Sequence, residues 1–223
     1  MELRVLYEDN HLLAVDKPAG LATMGVSADR PSLLGEARRY LKHKYNKPGN
    51  VYVGIVSRLD APVTGVVLLA RTSKAAARLT EQFRGGRVEK LYWAVVEGQP
   101  EPEQDLCVDW LRKDERHRRM HLAAAGQPAA KEARLRYRVL RPLGPNTLVE
   151  VQLETGRKHQ IRLQLAARGW PVFGDRKYGA RSVMSSGIAL HARRLSLTHP
   201  VRQTPLQLTA PLPGAWHRLL KKM

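Results

Sequence analysis

The stretch Ser57–Ala70, SRLDAPVTGVVLLA, governs the reading of this chain. Ser57-Arg58-Leu59-Asp60 is polar and charged, Ala61-Pro62 bends the chain, and Thr64-Gly65 leads into an unbroken apolar run, Val66 to Ala70. That run is short, rich in valine and bounded by a glycine, which predicts a buried strand. A carboxylate at the turn into a buried strand is held by rigid backbone on one side, as a catalytic group must be. The bland alternative is that Asp60, close before Pro62, is a turn residue and nothing more. The stretch alone leaves both open.

Working outward toward the N-terminus, Val51 to Val56 reads as a strand that delivers the chain to Arg58 and Asp60. Lys47-Pro48-Gly49-Asn50 is a loop. Ser32 is placed to cap a helix through Tyr45, with Leu33, Leu34, Ala37, Tyr40 and Leu41 on one stripe and Arg38, Arg39, Lys42 and Lys44 on the other face. Val5-Leu6-Tyr7 and Leu12 to Val15 form a hairpin across Glu8-Asp9-Asn10-His11.

Toward the C-terminus, Ser73 caps a second helix with Ala76, Leu79 and Phe83 inward, and Gly85-Gly86 ends it. Val88 to Glu97 alternates with period 2, so Leu91, Trp93 and Val95 oppose Tyr92, Ala94 and Val96. Gln99 to Glu103 is a Pro- and acid-rich loop suited to separate two halves. Arg112 to Arg119 holds five basic residues, Arg112, Lys113, Arg116, Arg118 and Arg119, and Ala123 to Ala130 is a loop. In Arg134 to Val139 an arginine row, Arg134, Arg136 and Arg138, alternates with Leu135, Tyr137 and Val139. Such a strand turns its arginines to solvent or to an anion. Val149, Val151 and Leu153 supply its hairpin partner across Pro142 to Asn146.

Thr155-Gly156 turns the chain into a helix from about Lys158 to Arg168, stopped by Gly169, with Arg157, Lys158 and His159 at its start. A helix N-terminus beside cations suits a phosphate; plain strand–turn–helix packing with surface charges fits the spacing as well. Strands around Ile188 to Leu197 and Gln207 to Ala210 follow, and Trp216, Leu219 and Leu220 suggest a short closing helix. Strands outnumber helices and mix with them irregularly. The expected fold is therefore α+β, with a mixed, mostly antiparallel sheet in a single domain over residues 1–223.

The chain carries 38 Lys and Arg against 20 Asp and Glu, a formal charge of +18, at 43% apolar content. A core of good size is available, and the excess charge points to a polyanion. Nucleic acid fits better than a membrane surface, because no basic amphipathic helix with a rich apolar face is present. No run approaches the ~18 apolar residues of a membrane helix, and Met1 to Asp16, with Glu2, Glu8 and Asp9, matches no targeting peptide. A cytoplasmic protein is expected. The one cysteine, Cys107, allows no intrachain disulfide and reads as a small buried hydrophobe. His117 and His121 share i,i+4 spacing but sit among arginines without a nearby acid, so no metal is expected.

Several stretches in order resemble the RluA-type pseudouridine synthases. Ser57 to Gly65 is similar to that family's motif II, usually His-Arg-Leu-Asp followed by Thr-Ser-Gly or Thr-Thr-Gly. Asp16-Lys17-Pro18-Ala19-Gly20 is similar to motif I, and Lys90-Leu91-Tyr92-Trp93-Ala94 to motif III. Thr155 to Arg162 resembles the Gly-Arg-x-His-Gln-Ile-Arg element, and Gly174-Asp175, Tyr178-Gly179 and Leu190-His191-Ala192 keep the family's order. Ser57 and Val63 depart from it, standing where His and Thr are usual.

The resemblance implies the pseudouridine synthase fold, a bent sheet with a central RNA-binding cleft and no extra S4-like domain. The implied chemistry breaks the uridine N1–C1′ bond, turns the uracil and joins C5 to C1′, without cofactor or metal. It also implies Asp60 as the catalytic aspartate, acting as nucleophile or as acceptor of the C2′ proton. Tyr92 stacks on uracil and serves proton transfer at C5. Arg162 pairs with Asp60, offsetting the cost of a buried charge. Arg58 fills the gap left by the flipped base, and Thr64, Lys90, Arg157, Lys158, His159 and Gln160 contact the RNA. The arginine row and Arg112 to Arg119 extend the phosphate track. The substrate is ribosomal RNA, transfer RNA or both, and the default oligomeric state is monomer. The alternative from another class is a non-catalytic RNA-binding protein on the same scaffold, which the departures at Ser57 and Val63 would suit.

Overall fold

The computed structural model describes residues 3–27, 29–117 and 119–221. Arg118, one of the five basic residues of 112–119, lies outside them. In chain order the elements are β1 (Val5–Glu8), β2 (Leu12–Lys17), α1 (Leu33–Lys44), β3 (Gly54–Ile55), β4 (Thr64–Ala70), α2 (Ser73–Arg84), β5 (Glu89–Glu97), β6 (Gln104–Asp114), β7 (Arg119–Ala123), β8 (Lys131–Leu143), β9 (Asn146–Leu153), α3 (Gln160–Ala166), a 3₁₀ turn (Arg176–Tyr178), β10 (Leu190–Thr198), β11 (Pro205–Thr209) and α4 (Gly214–Lys221). Two compact units form, one from Met1–Glu89 and Ala192–Leu212, the other from Lys90–His191 and Pro213–Met223. The chain passes between them at 89–90, 191–192 and 212–213, and not at the Pro-rich loop of 99–103. The fold is α+β, and the strand pairings within the units are antiparallel.

The first unit is built around β4, every residue of which is buried. Its unbroken apolar run has a plain cause: both faces are covered. Val66, Leu68 and Ala70 pack with Ala75 and Leu79 of α2 and with Leu195, Leu197 and Leu208 of β10 and β11. Val67 and Leu69 point the other way, onto Leu33, Ala37 and Leu41 of α1. β2 pairs along β4 from Leu12 opposite Ala70 to Lys17 opposite Gly65. Gly65 is required here: its φ is +110°, and a Cβ would lie 2.3 Å from the Ala192 carbonyl oxygen.

The helix starts follow capping chemistry. Ser32 caps α1, its hydroxyl accepting the Gly35 N–H at 3.2 Å. α2 is capped by Thr72, whose hydroxyl accepts from Ala75 N at 3.2 Å, so Ser73 is its first helical residue and not its cap. The strand expected over 51–56 shrinks to Gly54–Ile55, opposite Ala70 and Leu69. Past it the backbone leaves the ladder and the Ser57 hydroxyl takes over, accepting from Leu68 N at 2.9 Å and donating to Leu68 O at 3.2 Å.

In the second unit β9 pairs with β5 and with β8, β8 with β6, and β6 with β7. Leu135, Tyr137, Val149, Val151 and Leu153 are buried, as their alternation predicts. The hairpin β8–β9 turns at residues 144–145, with Gly144 at φ +63°. β6 and β7 are strands where the sequence reading assigned none. α3 lies over them: Leu163 packs with Leu111, Met120 and Ala133, and Gln164 Nε2 donates to the carbonyls of Cys107 and Ala133 at 3.3 and 3.2 Å. Cys107 is fully buried, and burial pushes its thiol up to about 11. α4 seats Trp216, which is fully buried with its ring edge-on to His191.

Candidate active site

Asp60 lies in the first unit, half-buried, on a loop fixed from several sides. Its carbonyl accepts the Val63 N–H at 3.1 Å. The Thr23 hydroxyl donates to Leu59 O at 2.9 Å and accepts from Leu59 N at 3.2 Å. Gly20 N donates to Ala61 O at 2.8 Å. The strongest anchor is Lys17 at the end of β2. Its side chain is fully buried, and the ammonium donates to the carbonyls of Pro18 and Leu21 at 2.8 Å each and of Ala61 at 3.0 Å. All three N–H groups are thereby used. Burial draws its pKa down to about 8, and the charge of Asp60 acts against that fall. Arg58 is exposed and Thr64 buried. Val63, one of the two departures from the family pattern, is a buried core residue.

Tyr92 and Arg162 lie in the second unit. Tyr92 is half-buried on β5, opposite Val151. Arg162 is buried on α3, and within this unit its partner is Asp175, a carboxylate to which the sequence reading gave no role. Nε donates to Asp175 Oδ2 at 2.6 Å and Nη2 to Oδ1 at 2.8 Å. This is the forked geometry that suits arginine, with both side chains at most 5% exposed. The guanidinium lies 5.1 Å from the centre of the Tyr178 ring. The Tyr178 hydroxyl accepts the Met120 N–H of β7 at 3.0 Å and meets His159 Nδ1 at 2.7 Å.

The helix expected from about Lys158 begins only at Gln160, because His159 takes a left-handed conformation at φ +53° as its N-cap residue. Gln160 is buried and ties the turn together. Its Oε1 accepts from Arg157 N at 2.9 Å and from the Thr155 hydroxyl at 2.8 Å, while Nε2 donates to Arg134 O at 3.0 Å. The Arg157 amide is thus bound within the chain. Arg157 and Lys158 remain exposed, Arg157 with its Nε on Glu132 O at 2.8 Å. Lys90 is half-buried and reaches Thr155 O at 3.4 Å; burial, then the charge of Arg157, lowers its pKa.

The arginine row of β8 does meet an anion, but one from this chain. Arg134 and Arg136 pair with Glu154, each at 2.9 Å, and Arg138 pairs with Glu150 at 2.7 Å. His117 and His121 have the acidic neighbour that the sequence reading denied them: both contact Asp114 Oδ2, at 2.8 and 3.1 Å. The hairpin of β6 and β7 folds His121 back opposite Arg112, and that brings the carboxylate within reach. Among the described residues no group of three or more His, Cys, Asp or Glu is placed to hold a metal, and no helix is long and apolar enough to cross a membrane.

Comparison with known proteins places this geometry in context. The family model of RNA pseudouridylate synthase matches residues 11–167, a span that holds Lys17, Asp60, Tyr92 and Arg162. The ribosomal large subunit pseudouridine synthase D of Pseudomonas aeruginosa is 34% identical over 227 residues, covering 96% of this chain and 69% of that protein. Its counterpart from Nitrosomonas europaea is 36% identical over 228 residues, covering 98% and 64%. Among solved structures, human RNA pseudouridylate synthase domain containing 4 superimposes with a TM-score of 0.81 at 26% identity, over 97% of this chain and 93% of that one.

Proposed function

This chain belongs to the RNA pseudouridylate synthase family, and from that membership we propose that it isomerises uridine in large-subunit ribosomal RNA, with Asp60 as the carboxylate that opens the glycosidic bond. The support for the RNA class is the similarity to ribosomal large subunit synthases over nearly the whole chain. The observation that carries the role of Asp60 is its setting. A carboxylate that must act on a sugar carbon needs a rigid backbone, and the loop of Asp60 is tied to a buried ammonium, to Thr23 and to the buried strand β4. Arg58, two residues away and exposed, is suited to enter the helix as the target base leaves it.

The uracil, once detached, has to be held while it rotates. Tyr92 offers a ring to stack on and a hydroxyl for the proton that leaves C5. Arg162, held on Asp175, contributes a fixed positive charge suited to anionic character that develops in the base. Lys90, Arg157, Lys158 and the cations of residues 112–119 supply phosphate contacts, which set affinity and its salt dependence.

The test is tritium release from ribosomal and transfer RNA transcripts labelled at uridine C5, since that proton leaves when C5 bonds to C1′. Release from large-subunit RNA that vanishes in Asp60→Asn, with RNA affinity retained, is the expected result. Release that persists in Asp60→Asn removes the carboxylate from its role. Binding without release from either RNA favours the non-catalytic reading.

A further inference from the structure

Asp175 and Tyr178 sit outside the catalytic set, yet with Arg162 they make a connected polar cluster in the second unit. The Arg162–Asp175 fork is buried at both ends. An arginine held this way cannot swing, because two of its nitrogens are fixed at 2.6 and 2.8 Å. Tyr178 adds a second constraint from the ring side at 5.1 Å. Its hydroxyl is bound to β7 through Met120 N, in the hairpin that carries Lys113 on β6, Arg116 in the turn and Arg119 on β7. Tyr178 also packs on Leu111, Met120, Ala133 and Leu163, which join β6, β7, β8 and α3. His159, strained at φ +53°, is the hydroxyl's other partner. Backbone strain that persists needs surroundings that enforce it, and this contact provides one.

We infer that Asp175 and Tyr178 are positioning residues for Arg162, and that the Tyr178 hydroxyl makes the placement of that arginine depend on the β6–β7 hairpin. The inference rests on the reading of Arg162 as part of the pseudouridine-forming site. Its physical content is direct. Asp175 sets where the guanidinium lies and its plane, the Tyr178 ring packs beside it, and Met120 N sets where the ring lies. When the basic hairpin engages RNA, the position of β7 is passed to Arg162 through one hydroxyl. An enzyme built this way gains its full rate only with the hairpin seated.

The decisive variant is Tyr178→Phe, which keeps the ring and removes only the hydroxyl. The single-turnover rate at saturating large-subunit RNA is expected to fall by about 10-fold, since displacements well under 1 Å at a reacting centre act on this scale. RNA affinity is expected to stay within about twofold, because phosphate contacts carry it. An unchanged saturating rate, or a loss carried entirely by weaker RNA binding, overturns the inference. Asp175→Asn supplies the second arm, read by solvent exchange of the Arg162 Nε–H in nuclear magnetic resonance of the free protein. That proton is expected to be slow to exchange in the wild type and at least about 10-fold faster in the variant, as one charge-assisted hydrogen bond is weakened. Equal exchange in both proteins also overturns it. If wild-type protein releases no tritium from any RNA while the exchange arm behaves as expected, the proposed function fails and the hold on Arg162 stands.

Discussion

Lys17 offers the sharpest perturbation, because its energetics follow from three hydrogen bonds and the cost of its burial. The ammonium is fully buried and donates to the carbonyls of Pro18, Leu21 and Ala61. Burial lowers its pKa from 10.5 to about 8, a penalty on the charged form of about 3.4 kcal/mol. Lys17→Met relieves that penalty but leaves the carbonyls of Pro18, Leu21 and Ala61 without their donor, at roughly 1–3 kcal/mol each, so its expected net cost is about 2 kcal/mol in urea unfolding. The loop of Asp60 also loses its tie at Ala61, and turnover is expected to fall by about 10-fold or more.

The pH dependence separates the two effects. Folded protein releases the Lys17 proton near pH 8, whereas the unfolded chain keeps it to about 10.5. Between those values the unfolded state binds more protons, so this group makes stability rise with pH and leaves its penalty in force below pH 8. Activity moves the opposite way. A neutral amine has two N–H donors for three carbonyls, and the loop loosens as pH climbs through about 8. The assay is single-turnover tritium release from pH 6.5 to 9.5, beside urea unfolding at the same pH values. A Lys17→Met protein as stable as the wild type within ~0.5 kcal/mol, or with the same decline in rate above pH 8, would refute the role given to this ammonium.

Two further outcomes follow from the packing. Replacing Glu150 and Glu154 with Gln releases Arg134, Arg136 and Arg138 from their ion pairs. If the row lies on the RNA track, binding tightens and the salt slope steepens by about 0.9 for each phosphate gained; a slope that does not change takes the row off the track. Gly65→Ala forces a Cβ to 2.3 Å from the Ala192 carbonyl oxygen at φ +110°, with an expected loss of more than about 3 kcal/mol. A thermal midpoint within about 2 °C of wild type would show that β10 yields there easily.

What could be read in the sequence, and what could not, divides along one physical line. β4 was legible because an unbroken apolar run from Val66 to Ala70 has one stable solution, burial on both faces. α1 was legible because Ser32 and the stripe of Leu33, Ala37 and Leu41 act within a few residues of each other. β6 escaped because charged Asp109 sits on the face it shares with buried Cys107 and Leu111, where it is held by Gln164 Nε2 at 2.6 Å and Arg168 at 2.8 Å. An alternation that mixes both kinds of residue on one face carries little periodic signal. The helix at Gln160 started late because a buried side-chain amide closes the turn from inside, and a propensity reading cannot see that.

The polar residues show the same division more strongly. The alternation of Arg134, Arg136 and Arg138 reveals that they share a face, but only the register of β8 on β9 sets Glu150 and Glu154 against them. Asp16-Lys17-Pro18-Ala19-Gly20 stands out only by its resemblance to motif I; that Lys17 reaches Ala61 is a property of how β2 lies along β4. Nothing in the sequence spacing points to the fork that Arg162 makes with Asp175, which stands just before the Arg176–Tyr178 turn. In each case an apolar residue declares its burial by its own chemistry, whereas a charged one is defined by the group opposite. The hold on Asp60 by Lys17 and on Arg162 by Asp175 is made of such pairs. The residues matched to the family were therefore visible as residue types in order, and the contacts that hold them became visible only once the strands were in register.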